Sequence, residues 1–255
     1  MGIMSGKKVL ILGVANEKSI AWGIARAMKE QGAILALSYV NDQLKKRVEP
    51  LADSIGADFI FEMDVSKEEH YGKVKKIVAE KWVKFDVLVH SLAFANRDDL
   101  KGRFSETSRA GAALACDISA FSLIRLSHEL KDLMQENGSI MAMTYHGSVK
   151  VLKGYNIMGV AKAALESSAR YLADDLGEQG IRVNCISAGP IRTLASSGVS
   201  SIKDALQIIE EKAPLRRNVT TDDVGGVGVF LGSDLSRGVS GQVLYVDSGI
   251  SIVAM

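Results

Sequence analysis

The residues in this chain best suited to act together chemically are Tyr155 and Lys162, with Tyr145 ten positions upstream of the first. If Tyr155 to Lys162 forms two turns of one helix, residues seven apart fall within roughly 20° of one azimuth, and both heads can converge on one ligand. Met158 and Gly159 lie between them on that face, where a glycine would leave room for a flat molecule to approach the backbone. An ammonium beside a phenol favours phenolate. The pair is therefore expected to pull the tyrosine below its ordinary value of about 10, making it a better proton donor near neutrality. Tyr145 ends an apolar run and is expected to turn a second hydroxyl into the same space. Tyrosine and lysine at this spacing are also ordinary neighbours on a solvated helix, so the remaining sequence has to decide between the two.

Such a pair needs a frame. Short apolar runs bounded by turn residues alternate with longer amphipathic stretches, the pattern of βα units that build a parallel sheet covered on both faces. Strands are expected near Lys8 to Leu12, Ala33 to Tyr39, Asp58 to Phe61, Val87 to His90, Ser139 to Met143, Val183 to Ser187 and Val243 to Val246. Helices fill the gaps. Ser66 with Glu69, and Thr220 with Asp223, have the spacing of capping boxes, while Gly32 and Gly180 stand where helices should close. The expected fold is one α/β, Rossmann-like, doubly wound domain over residues 1–255, with a seven-stranded parallel sheet and helices on both faces. Residues 188–214 form a long connection after a strand, rich in serine and glycine; it is expected to be a substrate lid, with a disordered segment as the alternative.

With 255 residues, 47% of them hydrophobic, the chain is large enough for one substantial core. A net charge of +1, from 31 basic and 30 acidic residues spread along the chain, gives no electrostatic reason to expect nucleic acid or a membrane surface as a partner. Cys116 and Cys185 lie far apart among apolar residues, as buried free thiols do. His70, His90, His128 and His146 lack metal-ligand spacing, so no metal is expected. Lys7 and Lys8 before Val9 to Ala15 faintly imitate a signal peptide, but the run is short and a strand suits it better. No apolar stretch approaches the length of a membrane span, and a soluble, cytoplasmic protein is expected.

After the first strand, Gly13, Ser19, Ala21 and Gly23 could form a turn that lets the backbone approach a pyrophosphate, with a helix N-terminus aimed at its charge, although the spacing is not G-x-G-x-x-G. Ser38-Tyr39-Val40-Asn41-Asp42 ends the second strand without a cation. That favours NAD over NADP unless Lys45, Lys46 or Arg47 folds back. Asp64-Val65 follows the third strand and offers a carboxylate either to an adenine amino group or to the entry of the next helix.

In this order, the pieces resemble the short-chain dehydrogenase/reductase superfamily, and within it the divergent branch of bacterial enoyl-acyl-carrier-protein reductases. The residues that carry the likeness are Gly13 to Gly23, Asp64-Val65, His90-Ser91-Leu92-Ala93-Phe94-Ala95, Tyr155 to Lys162, Ser187 to Thr193 and Val246-Asp247-Ser248-Gly249. Commoner carbonyl-reducing members place lysine four residues after the tyrosine and serine thirteen before it, where this chain has Gly159 and Ala142. The enoyl reductases instead carry a second tyrosine, matching Tyr145, and the wider gap found between Tyr155 and Lys162.

The resemblance implies NADH-dependent reduction of the trans-2 double bond of an enoyl thioester carried on acyl carrier protein, in bacterial type II fatty acid biosynthesis. Tyr155 would serve the enolate oxygen and Lys162 the nicotinamide ribose. Tyr145 would line the thioester site or help deliver a proton. Gly13, Ser19, Ile20, Val40, Asp64, Val65, Ser91, Leu92, Ile191, Thr193, Leu194 and Ala195 would line the cofactor. Ala95, Leu100, Met158 and Ile202 would join the two tyrosines around the substrate. Lys203, with Ser200 and Asp204 nearby, would face the acidic carrier protein, and relatives assemble as homotetramers. A short-chain carbonyl reductase or alcohol dehydrogenase, and a non-enzymatic dinucleotide-binding sensor, remain the alternatives.

Overall fold

A run such as Val9-Leu10-Ile11-Leu12 can bury successive side chains only in a sheet covered on both faces. The computed structural model describes residues 2–194 and 202–254, with residues 202 and 203 described by backbone alone, and contains that sheet. Its strands among the described residues are β1 (Lys8–Leu12), β2 (Ile34–Tyr39), β3 (Phe59–Glu62), β4 (Phe85–His90), β5 (Met134–Thr144), β6 (Arg182–Ala188) and β7 (Val243–Val246). They run in the order β3-β2-β1-β4-β5-β6-β7, every pair parallel. β1 and β7 fall where expected, and the other strands differ from expectation by one to five residues at an end.

The helices are α1 (Ile20–Glu30), α2 (Asp42–Ser54), α3 (Glu68–Trp82), α4 (Arg109–Cys116), α5 (Ser122–Leu130), α6 (Ile157–Asp175), α7 (Ile202–Lys212) and α8 (Thr221–Gly232). Leu10 and Leu12 face Val74 and Val78 of α3, Leu123 of α5 and Leu165 of α6. The alternate residues, Val9 and Ile11, face Ile24 of α1, Val48 of α2 and Val224 of α8. One strand therefore feeds two cores.

Thr220 and Asp223 form the expected capping box, strengthened by the Arg217 guanidinium on the Asp223 carboxylate. The Ser66–Glu69 box does not form. The Ser66 hydroxyl instead donates to Asp64 Oδ1 at 2.7 Å, and Lys67 caps α3 without a side-chain bond. A π-helical turn, Asp117–Phe121, joins α4 to α5. The resulting Arg109–Leu133 run is long and apolar enough to cross a membrane by length and composition, contrary to expectation, although 44% of its most apolar stretch is buried within the molecule. The expected 188–214 connection contains α7, so it is not one continuous loop.

Candidate active site

Leaving β1 the chain builds outward to β3, then returns to β4 on the other side of β1, so a crevice opens where the ends of β1 and β4 diverge. Gly13 sits at this edge with φ +102°, and a Cβ there would lie 2.1 Å from the Ser91 carbonyl oxygen. Only glycine lets the turns after β1 and β4 meet. Ser19 turns its side chain backwards, its Oγ accepting from the backbone N–H groups of Ala15 at 3.0 Å and Asn16 at 3.1 Å. The first turn of α1, beginning at Ile20, consequently receives no side-chain cap. Its N–H groups and the positive end of its dipole are available to an anion. Gly23 and Ala21 play a different part from the one expected. A Cβ on Gly23 would lie 2.5 Å from Thr221, so that glycine closes α1 onto α8, and Ala21 is buried in the core.

Val40 follows β2, and Asp64 lies just past β3. Asp64 Oδ1 accepts from the Ser66 backbone as well as its hydroxyl, and Tyr71 donates to the Val65 carbonyl at 2.8 Å, so this pair braces the entry to α3. Lys45 does fold back, placing its Nζ 5.8 Å from the centre of the Tyr39 ring. A cation therefore stands beside the end of β2 after all.

Tyr155 lies outside α6. Asn156, with φ +40° and ψ −119°, bends the chain before the helix begins at Ile157, so the shared azimuth does not place the phenol. An aromatic contact does: the Tyr145 and Tyr155 rings meet edge to face, with centroids 5.0 Å apart at 76°. The backbone of Gly147 makes room for this. A Cβ on Gly147 would lie 2.5 Å from Tyr155 Cδ1, and one on Gly159 would lie 2.7 Å from the Gly147 carbonyl oxygen. The space beside Gly159 is thus filled by protein backbone and not left for a flat ligand.

Lys162, 4% exposed, donates to the Met143 carbonyl at 2.7 Å and to the Leu92 carbonyl at 3.4 Å. Among the described residues these bonds use two of its three protons, and an ammonium can donate a third. Burial pushes Lys162 down to about 8, opposed by Cys185 and Glu166. Burial pushes Tyr155 up, and Tyr145 and Glu166 add to the rise. The expected lowering of this phenol by the ammonium is therefore overturned. The ammonium is turned to backbone carbonyls, and Tyr155 is a neutral hydroxyl that donates without ionising. Burial also raises Tyr145.

Leu100 and Met158 pack in one apolar cluster with Ala115, Ile157 and Ala161, joined by Ala95 and Tyr155. Four residues expected around the substrate are thus brought together. Ile191 packs on the α1 side of the core, Thr193 is half-buried and Leu194 is exposed. Ala195 and Ser200 lie outside the described residues, as do the side chains of Ile202 and Lys203.

Sequence reasoning missed several polar groups at the site. Ser119, on the π-helical turn, accepts from the Phe94 backbone N–H at 3.1 Å. His90, at the end of β4, lies 2.8 Å from Ser122 Oγ, and burial followed by Lys162 lowers it to about 3, so it is neutral. Glu166 is buried one turn beyond Lys162, and the four-residue spacing was the signal that could have found it.

These residues fit a dinucleotide: an uncapped helix N-terminus stands over a glycine turn at the strand-order reversal, and a buried ammonium has, among the described residues, two of its three protons bonded. Residues 13–251 match the family described as enoyl-(acyl carrier protein) reductase. The chain is 50% identical over 252 residues to the enoyl-[acyl-carrier-protein] reductase [NADH] FabI of Rickettsia prowazekii, covering 99% of this chain and 97% of that one. A solved enoyl-acyl carrier protein reductase from Bacillus cereus, with NADP+ and indole naphthyridinone, superposes with a TM-score of 0.98 at 47% identity over 100% of both chains. A reductase from Anaplasma phagocytophilum, in complex with NAD, gives 0.96 at 48% identity, covering 100% of this chain and 97% of that one.

Proposed function

The chain belongs to the enoyl-[acyl-carrier-protein] reductase family, and we propose that it reduces the trans-2 double bond of enoyl thioesters on acyl carrier protein with NADH, in type II fatty acid biosynthesis. NADH, when bound, supplies the hydride that reaches the β-carbon of the substrate. Electrons then arrive at the thioester oxygen, and the Tyr155 hydroxyl donates to that oxygen as its charge develops. A donor aimed at developing charge contributes roughly 3 to 4 kcal/mol to the transition state. Lys162 holds the ribose hydroxyls with its third proton, Tyr145 fixes Tyr155 edge to face, and Leu100, Met158 and Ala95 hold the acyl chain away from water. Gly13, Ser19, Ile20, Val40, Asp64, Val65, Ser91, Leu92, Ile191, Thr193 and Leu194 line the dinucleotide.

The observation that carries this reading is the Tyr145–Tyr155 contact, made by a tyrosine two residues past Met143, whose carbonyl takes a proton of the buried Lys162. Ala142, buried on β5, offers no hydroxyl for the carbonyl-reducing arrangement. The described part of the 188–214 connection, with α7, serves as the substrate lid. The enzyme works in the cytoplasm as a homotetramer, without nucleic acid or membrane.

Loss of NADH absorbance with purified protein tests the proposal. A crotonyl thioester should be consumed and a β-ketoacyl thioester ignored. The reverse would make the protein a carbonyl reductase, and turnover of neither would make it a dinucleotide sensor.

A further inference from the structure

Glu166 is only 7% exposed, and its Oε1 accepts from the Thr144 hydroxyl at 2.6 Å. Thr144 ends β5, directly after Met143, whose carbonyl takes the Lys162 proton, and directly before Tyr145. Two consecutive residues of the strand are thus tied to two side chains one turn apart on α6, and Tyr145 leaves the sheet from that double tie. We propose that Glu166 is a positioning residue for the reduction: its bond to Thr144 sets where Tyr145 meets Tyr155, and its side chain, one turn beyond Lys162 on α6, supports the ammonium. This inference rests on Tyr155 and Lys162 being the working pair.

The titratable groups facing Lys162 are Glu166 on its own helix, Cys185 on β6 and His90 on β4. Burial pushes the Cys185 thiol up to about 12 and the His90 imidazole down to about 3, so both are uncharged near neutrality. Glu166 joins Cys185 in opposing the fall of Lys162, and it also acts on Tyr155, on His146 beyond Tyr145 and on Tyr245 of β7. A carboxylate serving packing alone would be a costly choice in this setting, because burial strips its water and one hydroxyl replaces only part of it.

The test is the pH profile of kcat/KM for a crotonyl thioester in the wild type, Glu166→Gln, Thr144→Val and Thr144→Ser. Wild-type activity should fall as pH rises through about 8. Glu166→Gln should move that fall to lower pH by roughly 0.5 to 2 units, the scale of removing one charge a helical turn away. Thr144→Val should keep the wild-type profile but lower kcat at every pH with the KM for NADH unchanged, and Thr144→Ser should restore it. An unmoved profile in Glu166→Gln overturns the charge role, and wild-type kcat in Thr144→Val overturns the clamp. If Glu166→Gln does not melt cooperatively, Glu166→Asp decides: the proposal requires the wild-type profile at reduced kcat, and a shifted profile overturns it. Full turnover by Tyr155→Phe would instead refute the working pair, so the two failures are distinguishable.

Discussion

Replacing Tyr155 with phenylalanine removes one oxygen from a ring whose packing is otherwise unchanged. Among the described residues the Tyr155 hydroxyl makes no hydrogen bond, while the ring rests against Tyr145 and Gly147. No buried partner is orphaned by the change, so the variant should melt with the wild type, within roughly 0.5 kcal/mol. NADH affinity should also persist, since Lys162 and the α1 turn are untouched. The loss should fall on the chemical step: one donor to developing charge is worth roughly 3 to 4 kcal/mol, or on the order of 10² to 10³ in kcat. Nicotinamide absorbance under saturating crotonyl thioester measures kcat, and quenching of protein fluorescence by NADH measures affinity. A variant that keeps more than half the wild-type kcat would refute the donor role. One that loses rate and NADH binding together would show that Tyr155 holds the site's shape and not the substrate's charge.

Lys162 connects activity and stability to pH with opposite signs. Its folded-state value of about 8 lies below the ordinary 10.5, so between them the folded protein binds fewer protons than the unfolded chain and this group's contribution to stability rises with pH. Activity that needs the ammonium should fall over the same interval, which parallel melting and kcat/KM profiles would reveal. NADH should turn over faster than NADPH, and Lys45→Ala should raise the KM for NADPH by roughly two- to fivefold while sparing NADH; a clear NADPH preference would contradict this. Gly147→Ala should cost roughly 1 to 3 kcal/mol of stability and at least about tenfold in kcat, because its new Cβ displaces the Tyr155 ring; wild-type kcat would show that the ring's placement is unimportant.

Much of the frame was legible because burial on both faces writes itself into composition. β1 and β7 were bounded correctly from their apolar runs, and the Thr220–Asp223 box formed because its spacing and its partner were both local. The failures have physical causes. Ser66 was claimed by Asp64 before it could cap α3. Tyr155 left the helix because Asn156 adopts a positive φ that no periodicity announces. The phenol's rise escaped notice because burial dominates it and the Lys162 ammonium, bonded to backbone carbonyls, does not act on it. Lys45 could be named as a candidate to fold back, but only tertiary packing placed it over Tyr39.

The central claim is hydride delivery to a conjugated carbon, and isotope transfer tests it most directly. The enzyme would be given NADH deuterated at C4 on the transferred face together with a crotonyl thioester in ordinary water, and the product examined by NMR. The account predicts one deuterium at the β-carbon and a solvent proton at the α-carbon. Deuterium at the α-carbon, or a reduced product carrying none, would contradict it.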